Sequence, residues 1–409
     1  MVHQRHILIT LLLTVCLCVC SSAVGLAESV SFWTQYATNA ALLAVLDDFT
    51  RETGIEVELR NINWNTDAIF IGIASGSLPD LFTHGSASLG AFAAHGFMAP
   101  LEPYMENWPF IKDMIPQVRE TGAYNGQQIA IPWNGITVRD IAYRAEFFAE
   151  AGLSPSQFAK TWDDFIPMAK KLVRRDANGK LLRSALVVPK SGTTQQQWWS
   201  MLHHQAGGDL LVNGLPNVND DTAITALQYY VDMIHVHGLD ALDFSGNLTK
   251  GTSAMSWTSW GNIKPLIDSG MDIGIAQFPY KVRPATFLGT DVAAIPLDAQ
   301  NPAGAAKLLE YLLHPERQKL LNQSVGGAVP FYRSAMQWDW VKEAPQLQHL
   351  FTAVAYGVPN PPHVLWFEIR EILLTNINAA VKGNIPPRTA MEQAQESLMQ
   401  LFKEQGIVR

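Results

Sequence analysis

The 409-residue sequence predicts an α/β fold of two domains, or of one domain with two lobes, and three observations lead to this prediction. Near the start, the strand-like stretch "SVSFWTQY" (29–36) precedes a helical pattern and then the alternating strand "IEVELR" (55–60). This order is typical of a parallel βαβ unit. At the end, two amphipathic patterns (369–383 and 389–406) predict closing helices. The length exceeds what one hydrophobic core usually organises.

The first helix and the next strand can be placed from local patterns. The helix is predicted by four apolar residues at helical spacing, which are Leu42, Val45, Leu46 and Phe49. Gly54 ends this helix. A further strand is expected in "PDLFTHGS" (79–86), which opens into a polar loop. Ligands bind beyond the carboxyl ends of strands in such sheets, so the ends at 35–36 and 84–86 are predicted to border one crevice.

Later segments predict further helices and one unusual strand. Thr161, with Asp164 three residues later, resembles a capping box at the start of a helix. Another helix is expected over 220–238, and a pair of helices is expected around a break at His314–Pro315. The stretch "QQIAIPWNGITVRDIAYR" (127–144) reads as two apolar strands on either side of a stiff kink, "PWNG".

Composition and charge exclude several classes of protein. The chain is 48% hydrophobic and 16% charged, which is ordinary for a soluble globular protein. Its net charge of −8 gives no electrostatic footprint for nucleic acid. Low-complexity tracts and short repeats are missing from the sequence, which argues against disorder and solenoids. The pair His235 and His237 would diverge on a helix, so it does not predict a metal site.

Residues 1–27 are predicted to be a secretory signal peptide, with a basic start, an apolar run and small residues up to "GLA". Cleavage is expected after Ala27, because the apolar run is short for a membrane anchor. Cys16, Cys18 and Cys20 are the only cysteines. A lipoprotein needs a small residue just before its modified cysteine. Val15, Leu17 and Val19 precede these three cysteines, which disfavours lipid modification. The mature chain would then carry no thiolate nucleophile and no cysteine-bound metal.

Six segments, in order along almost the whole mature chain, carry a family resemblance. "FWTQY…LLAVLDDFTRETGIEVELR" and "ASGSLPDLFTHG" resemble an opening strand–helix–strand and an SG–PD segment. "YNGQQIAIPWNG", "TWDDF" and "GTSAMSWTSW" resemble a YA-P segment, a TW-E/D signature and a G-AM…W loop. "LLHPERQKLLNQSVGGAVPFYRSA" resembles a helix followed by a glycine and P-x-R. This ordered set is similar to the extracellular solute-binding proteins of ABC importers, the family that includes maltose-binding protein.

The resemblance implies the two-lobed periplasmic-binding-protein fold of type II, with mixed sheets flanked by helices and a ligand cleft between the lobes. It implies the following limits: signal peptide 1–27, N-terminal lobe 28–133 and 290–328, C-terminal lobe 134–289 and 329–409. The chain would cross between the lobes near 130–135, 288–291 and 326–332. The kink at 132–135 is then the bend of a strand that runs from one lobe into the other, where few residues absorb the φ/ψ change.

The resemblance also implies a function. The protein would be the non-catalytic, substrate-binding component of an ABC importer, which captures a sugar, an oligosaccharide or a derivatised sugar in the periplasm and delivers it to a membrane-embedded permease. A monomer is expected, with no metal, no cofactor and no nucleic-acid partner. Two alternatives stay open. An anionic sugar derivative (a phosphate or sulfonate) or another small solute could use Arg333, which suits a structural ion pair equally well. A secreted glycoside hydrolase needs paired acids, for which the candidates offer only Asp67 and Asp291.

The candidate ligand-binding residues follow from the shape of a sugar, which presents hydroxyls at its rim and apolar C–H groups on its faces. The resemblance implies stacking aromatics at Trp260 and Trp366. Of the adjacent Trp198 and Trp199, one is expected in the core and the other at the cleft, because neighbours on a helix diverge. Strand ends and lobe crossings supply the polar candidates. The full predicted set is Gln35, Tyr36, Trp64, Asn65, Asp67, His84, Ser86, Trp133, Asn134, Trp198, Trp199, Trp260, Thr290, Asp291, Arg333 and Trp366.

Overall fold

The computed structural model describes residues 28–94, 96–324 and 328–408. The predicted signal peptide and its cleavage point after Ala27 lie outside the described residues. Within the described residues, ten strands form one mixed sheet in the order β2-β1-β3-β13-β6-β11-β8-β7, with β12 paired to β6 and β14 paired to β13. The strands are β1 (Ser29–Thr34), β2 (Glu56–Asn61), β3 (Leu81–Gly85), β4 (Ala123–Tyr124), β5 (Gln127–Gln128), β6 (Ile131–Arg144), β7 (Arg174–Arg175), β8 (Leu181–Val187), β9 (Leu211–Val212), β10 (Leu215–Pro216), β11 (Ser253–Ser259), β12 (Ile273–Ala276), β13 (Thr286–Ala294) and β14 (Gly357–Val358).

Helices cover this sheet, as the α/β prediction requires. They are α1 (Ala40–Thr53), α2 (Thr66–Ser75), α3 (Leu89–Ala93), α4 (Glu102–Met105), α5 (Pro116–Arg119), α6 (Ala145–Glu150), α7 (Trp162–Lys170), α8 (Thr193–Gln205), α9 (Asp221–His235), α10 (Trp260–Asp268), α11 (Pro302–Leu313), α12 (Pro315–Ser324), α13 (Asp339–Lys342), α14 (Pro345–Ala353), α15 (Trp366–Val381) and α16 (Pro387–Glu404). In the part of the chain that is described, no helix combines the length and the apolar character needed to cross a membrane.

The predicted βαβ unit is confirmed at the start of the chain. β1 pairs in parallel with β2 and with β3, and α1 connects the first two strands. Asn39 caps α1 by accepting hydrogen bonds from the backbone N–H groups of residues 41 and 42, and Gly54 ends the helix at φ +73°. The four apolar residues that predicted this helix are its buried face. The predicted cap of α7 is also confirmed, since Thr161 Oγ1 accepts from the N–H of Asp164 at 3.2 Å.

β6 and β13 form a long antiparallel ladder that joins the two halves of the sheet. The end of β13 pairs with β3, whereas the end of β6 pairs with β11 and β12. The "PWNG" kink lies where the ladder register shifts, between Pro132↔Val292 and Ile136↔Thr290. Gly135 has φ +111° there, a conformation that a side chain rarely adopts. The kink is therefore a bulge within one continuous strand, at the junction of the two halves.

Separate hydrophobic cores lie on the two sides of this ladder. One core gathers buried residues of β1, α1, α11 and the segment 329–354, and it also holds Trp260. A second core is built from α7, α8, α9, α15 and α16. A smaller cluster beside β3 contains Trp33 and Phe92. This division matches the two-lobed fold: each half of the sheet has its own apolar interior, and polar side chains meet between the halves.

Candidate functional site

A cavity of about 510 Å³ lies along the β6/β13 ladder, a volume within the range of small-molecule sites. Its wall comes from both halves of the sheet. The first half contributes Trp64 and residues 84–88, and the ladder contributes Thr137, Arg139 and residues 287–291. The second half contributes Thr193, Gln196, Gln197, Asn360, Trp366 and Arg370. An adjoining pocket of about 220 Å³, which includes Glu120, shares Ser86, Leu288 and Asn360 with this cavity.

The ladder forms a floor with a cation and an anion at its two ends. Thr137 lies opposite Gly289, and the next side chain on the same face of β6, Arg139, lies over the ring of Phe287 at 5.1 Å. Asp291 lies four residues beyond Phe287 on β13, about 13 Å along an extended strand. A Cβ atom on Gly289 would come within 2.9 Å of the Phe287 ring, so glycine leaves room for that ring.

Asp291 is the centre of a hydrogen-bonded cluster at the anionic end. Its Oδ2 atom accepts from Tyr36 Oη at 2.6 Å, from Asn134 Nδ2 at 3.1 Å and from Gln35 Nε2 at 3.3 Å. Burial raises the pKa of the Asp291 carboxyl, and these three hydrogen bonds oppose the rise. Burial and the charge of Asp291 raise the pKa of the Tyr36 hydroxyl well above its usual range, so Tyr36 remains a donor. All three protein donors reach Oδ2, which leaves Oδ1 as the carboxylate atom open to a hydroxyl in the cavity.

Aromatic rings stand beside this cluster. The side chain of Trp64 is 47% exposed, and its backbone is left-handed at φ +60°. Its ring meets the edge of Tyr36 at 6.0 Å and that of His84 at 6.2 Å. Burial lowers the pKa of His84 to about 4, so the imidazole is neutral at pH 7. Trp64 therefore offers an accessible apolar surface next to polar acceptors, the combination that suits a polyhydroxylated ring.

The opposite end of the floor is cationic. Arg139 donates from Nη1 to Gln197 Oε1 at 2.7 Å, and its guanidinium lies over Trp257 at 5.0 Å as well as over Phe287. Burial lowers the pKa of Arg139 to about 10, which leaves it charged at pH 7. Arg370 is paired with the exposed Glu371 at 3.1 Å. Gln196 Nε2 donates to Asn360 Oδ1 at 3.4 Å, which ties α8 to the loop before α15.

The structure brings most of the predicted polar residues together. Gln35, Tyr36 and Asn134 surround Asp291, although the sequence separates Tyr36 from Asp291 by 255 positions. Predicted residues that line the cavity itself are Trp64, His84, Ser86, Thr290, Asp291 and Trp366. Thr290 is buried and shares a 2.7 Å hydrogen bond with Thr121. Trp366 is fully buried, so it stands behind the first layer of the wall.

Four predicted tryptophans lie in the cores instead of the cavity wall. Trp198 packs against Tyr230, Trp257 and Phe278, and Trp199 stacks on His203, so neither of the adjacent pair faces the cleft. The preceding Gln196 and Gln197 occupy that face of α8. The other two are Trp133 and Trp260. Trp133 fills the space between Phe32 and Tyr36, and Trp260 starts α10 within the first core.

Three predicted polar residues have structural positions elsewhere. Asn65 caps α2 with its side-chain oxygen, and Asp67 is exposed in the first turn of that helix. Arg333 is exposed and donates to the carbonyl of Lys112, so it lies outside the cavity wall. The prediction that Arg333 meets an anionic ligand is therefore not supported by its position, because its guanidinium is used on the protein's own backbone.

Several wall residues were absent from the predicted set, chiefly Arg139, Gln197, Phe287, Asn360 and Arg370. One signal for Arg139 was present: the strand-like run 136–143 carries two adjacent charged residues, Arg139 and Asp140, and a charge in such a run needs a polar surrounding. Asn360 and Arg370 follow no comparable pattern, since their place in the wall depends on how α15 packs. In the described part of the chain, no group of three or more His, Cys, Asp or Glu side chains could hold a metal ion.

A two-lobed α/β fold with a polar and aromatic cavity between its halves defines a protein that binds a small solute. The chain belongs to the bacterial extracellular solute-binding proteins, and the model of that family matches residues 31–319. This family consists of solute-binding proteins, not enzymes, that act outside the cytoplasm.

Relatives span nearly the whole chain. A probable amino-acid ABC transporter periplasmic-binding protein, y4oP from Sinorhizobium fredii, is 24% identical over 90% of this chain and 88% of its own. The sugar-binding protein MalE from Xanthomonas citri is 20% identical, with a TM-score of 0.81 over 92% of this chain and 98% of its own. A solute-binding protein from Thermotoga lettingae, solved with α-D-tagatose, is 23% identical, with a TM-score of 0.78 over 91% and 98%.

Proposed function

We propose that this protein is the substrate-binding component of an ABC importer that captures a carbohydrate and delivers it to the permease. The observation that carries the proposal is the Asp291 cluster: three fixed donors hold one carboxylate oxygen, and the other is open to a ligand hydroxyl. Trp64 beside it presents an accessible ring for the apolar face of a sugar. Several structurally similar proteins, including MalE, are named for binding sugars.

The position of the cavity supports closure of the two lobes on the ligand. A solute that touches both Trp64 and Asn360 contacts both halves of the sheet, so it favours the state in which they approach. The lobe limits proposed are 28–133 with 290–328, and 134–289 with 329–409, except that the segment 329–354 packs in the first core and is assigned to the first lobe. We also propose periplasmic release by cleavage after Ala27, action as a monomer, and no role for a cofactor or nucleic acid.

A free amino acid, suggested by the name of one relative, fits the cavity less well. Phe287, whose ring lies under the Arg139 guanidinium, and Asp291 are four residues apart on β13, about 13 Å of extended strand. The ammonium and carboxylate groups of an α-amino acid are attached to one carbon, so they cannot reach both ends.

Hydrolysis of a glycoside is also disfavoured. That reaction needs two carboxyl groups at a defined separation across the scissile bond. Asp291 is the one acid among the described residues of the main cavity wall, and Asp67 lies on α2 outside it.

Calorimetry of the mature protein with mono- and oligosaccharides, alongside amino acids, tests the proposal. We expect at least one saccharide to bind, with a smaller radius of gyration in small-angle scattering when bound. Binding of an amino acid with no binding of any saccharide would overturn it.

A further inference from the structure

One wall of the cavity is positively polarised. It contains Arg139 and Arg370, and it is also where α8 and α15 begin, with Thr193 and Trp366 as their first residues. No side chain caps either helix. Free N–H groups at a helix N-terminus favour negative charge, so the two helix ends act in the same direction as the two guanidinium groups. We name this set of five residues, completed by Gln197, the cationic wall.

Arg139 is the cation in this wall that lacks a counter-charge. It forms no ion pair with the described residues, and among them it donates only from Nη1, to the neutral Gln197. Other arginines in the same half differ: Arg144, on the same strand, pairs with Glu146 at 2.6 Å, and Arg183 pairs with Glu150 at 2.8 Å. Burying a guanidinium between two aromatic rings costs free energy when no carboxylate pairs with it. The unpaired N–H groups of Arg139 are therefore available to an anionic ligand.

The edge that remains open has a definite shape. Arg139 lines the cavity, and with Nη1 held by Gln197 its Nε and Nη2 atoms make no hydrogen bond with the described residues. The N–H groups of these two atoms form a fork that matches the two oxygens of a carboxylate in a bidentate pair. Arg370 cannot supply the same fork, since its Nε and Nη2 both donate to Glu371. The wall therefore has room for one planar anion.

We infer that the carbohydrate ligand is an acidic oligosaccharide, in which the carboxylate of a uronate unit binds to the free edge of Arg139 while the hydroxyls of a neighbouring unit lie toward Asp291. This inference rests on the proposed function. The carboxylates on the protein side are compatible with it. Asp291 lies at the far end of the floor, Glu371 is paired with Arg370, and Glu120 lies in the adjoining pocket. Four residues of extended strand, about 13 Å, separate Phe287 under Arg139 from Asp291, so a carboxylate on Arg139 stays apart from the Asp291 carboxylate.

Matched pairs of sugars test the inference on the unmodified protein. We would titrate galacturonate against galactose, glucuronate against glucose, and digalacturonate against a neutral disaccharide, by calorimetry at pH 7 and two salt concentrations. We expect the acid of a pair to bind at least about tenfold more tightly than its neutral partner, and its affinity to fall with salt. Equal or tighter binding of the neutral sugars overturns the inference but leaves the proposed function in place. Tighter binding of galactose 1-phosphate than of any uronate overturns the assignment of a carboxylate.

A charge-removing variant then locates the contact. Arg139→Gln should weaken binding of the uronate by about a hundredfold and change the neutral partner little. Arg144→Gln is the matched control, because it removes an arginine from the same strand outside the cavity, and uronate affinity should be unchanged. An Arg139→Gln protein that is folded by circular dichroism and still prefers the uronate contradicts the inference. If Arg139→Gln does not fold, Gln197→Ala, which frees the guanidinium from its support, should weaken the uronate alone. The absence of binding to every saccharide would instead contradict the proposed function.

Discussion

Tyr36, at the carboxyl end of β1, donates a 2.6 Å hydrogen bond to Oδ2 of Asp291, at the register shift of the β6/β13 ladder. This contact joins the first strand of the chain to a strand that crosses between the two halves of the sheet. The same oxygen also accepts from Asn134, within the bulge of β6. One carboxylate thus fixes the floor of the cavity by joining the end of β1 to the bulge between β6 and β13.

The first prediction concerns this hydrogen bond. Tyr36→Phe removes one of three donors to a partly buried carboxylate and leaves the ring in place, so the free energy of unfolding should fall by about 1–3 kcal/mol. Urea denaturation at pH 7 measures the loss. Tyr104→Phe is the control, because the hydroxyl of Tyr104 makes no hydrogen bond with the described residues and the residue also packs on the first core. Equal losses in the two variants would show that the bond to Asp291 adds nothing.

The second prediction distinguishes Trp64 from Trp260, both of which the sequence predicts to bind the ligand. Trp64→Ala should weaken saccharide binding by about 1–3 kcal/mol and leave the melting temperature nearly unchanged, because its side chain is 47% exposed at the cavity. Trp260→Ala should lower the free energy of unfolding by about 3–5 kcal/mol, because the ring is buried in the first core.

Calorimetric affinity and thermal unfolding, measured on both variants, distinguish the two roles. Unaltered affinity in Trp64→Ala would remove the proposed stacking surface. Weakened binding in a Trp260→Ala protein of unchanged stability would show that Trp260 contacts the ligand and does not serve only in the core.

The fold was predictable because its signals are local. The apolar spacing of α1, its Gly54 end and the alternation of β2 are each decided within a few residues, and their order implies parallel pairing. The "PWNG" stretch was predictable as a bend in a strand, because proline restricts the backbone locally and glycine allows conformations that other residues rarely adopt. That the bend is a three-against-one bulge opposite Asp291 depends on the ladder with β13, where Asp291 lies 157 positions after Asn134, and could not be read from the stretch itself.

The site was predictable where strands end and much less where helices pack. Gln35 and Tyr36 follow β1 directly, and Asp291 lies at a crossing of the chain, so position along the chain sufficed. Trp198, Trp199 and Trp260 lie on helices, whose rotation about their axes is set by the surrounding cores. Arg139 lies on a strand with mostly buried neighbours on both faces, so alternation did not reveal which face meets the cavity.

The third prediction concerns pH. Burial lowers the pKa of His84 to about 4, below its usual 6.5, so the folded protein holds a neutral imidazole where the unfolded chain binds a proton. The stability that results is full above pH 6.5 and is lost as the pH falls toward 4. In His84→Gln, the difference in free energy of unfolding between pH 7 and pH 4 should be smaller than in the unmodified protein by about 3 kcal/mol.

Urea denaturation at the two pH values tests this for both proteins. His203, whose pKa burial also lowers to about 4, is present in both, so its effect cancels in the comparison. The exposed His314→Gln serves as the control and should keep the full pH dependence. An unchanged pH dependence in His84→Gln would contradict the prediction.

The last prediction concerns Gly135, in the bulge of β6. Its φ of +111° is strained for any other residue, and a Cβ atom there would lie 2.6 Å from Ala328 Cβ and 2.9 Å from the Val329 carbonyl oxygen. Gly135→Ala should therefore lower the free energy of unfolding by more than about 2 kcal/mol, because the backbone strain and the displacement of residues 328–329 both destabilise the folded state. Gly152→Ala is the control with a left-handed backbone at φ +66° and open space around the new methyl group, so it should cost about 1 kcal/mol.

Because the 328–329 segment pairs with β6 beside Asn134, the Gly135 variant should also bind saccharide more weakly, whereas the Gly152 variant should bind normally. Chemical denaturation and calorimetry on the two proteins measure both effects. Equal stability losses would mean that the bulge tolerates a side chain, and the lobes would then be joined there more loosely than the contacts around Gly135 imply.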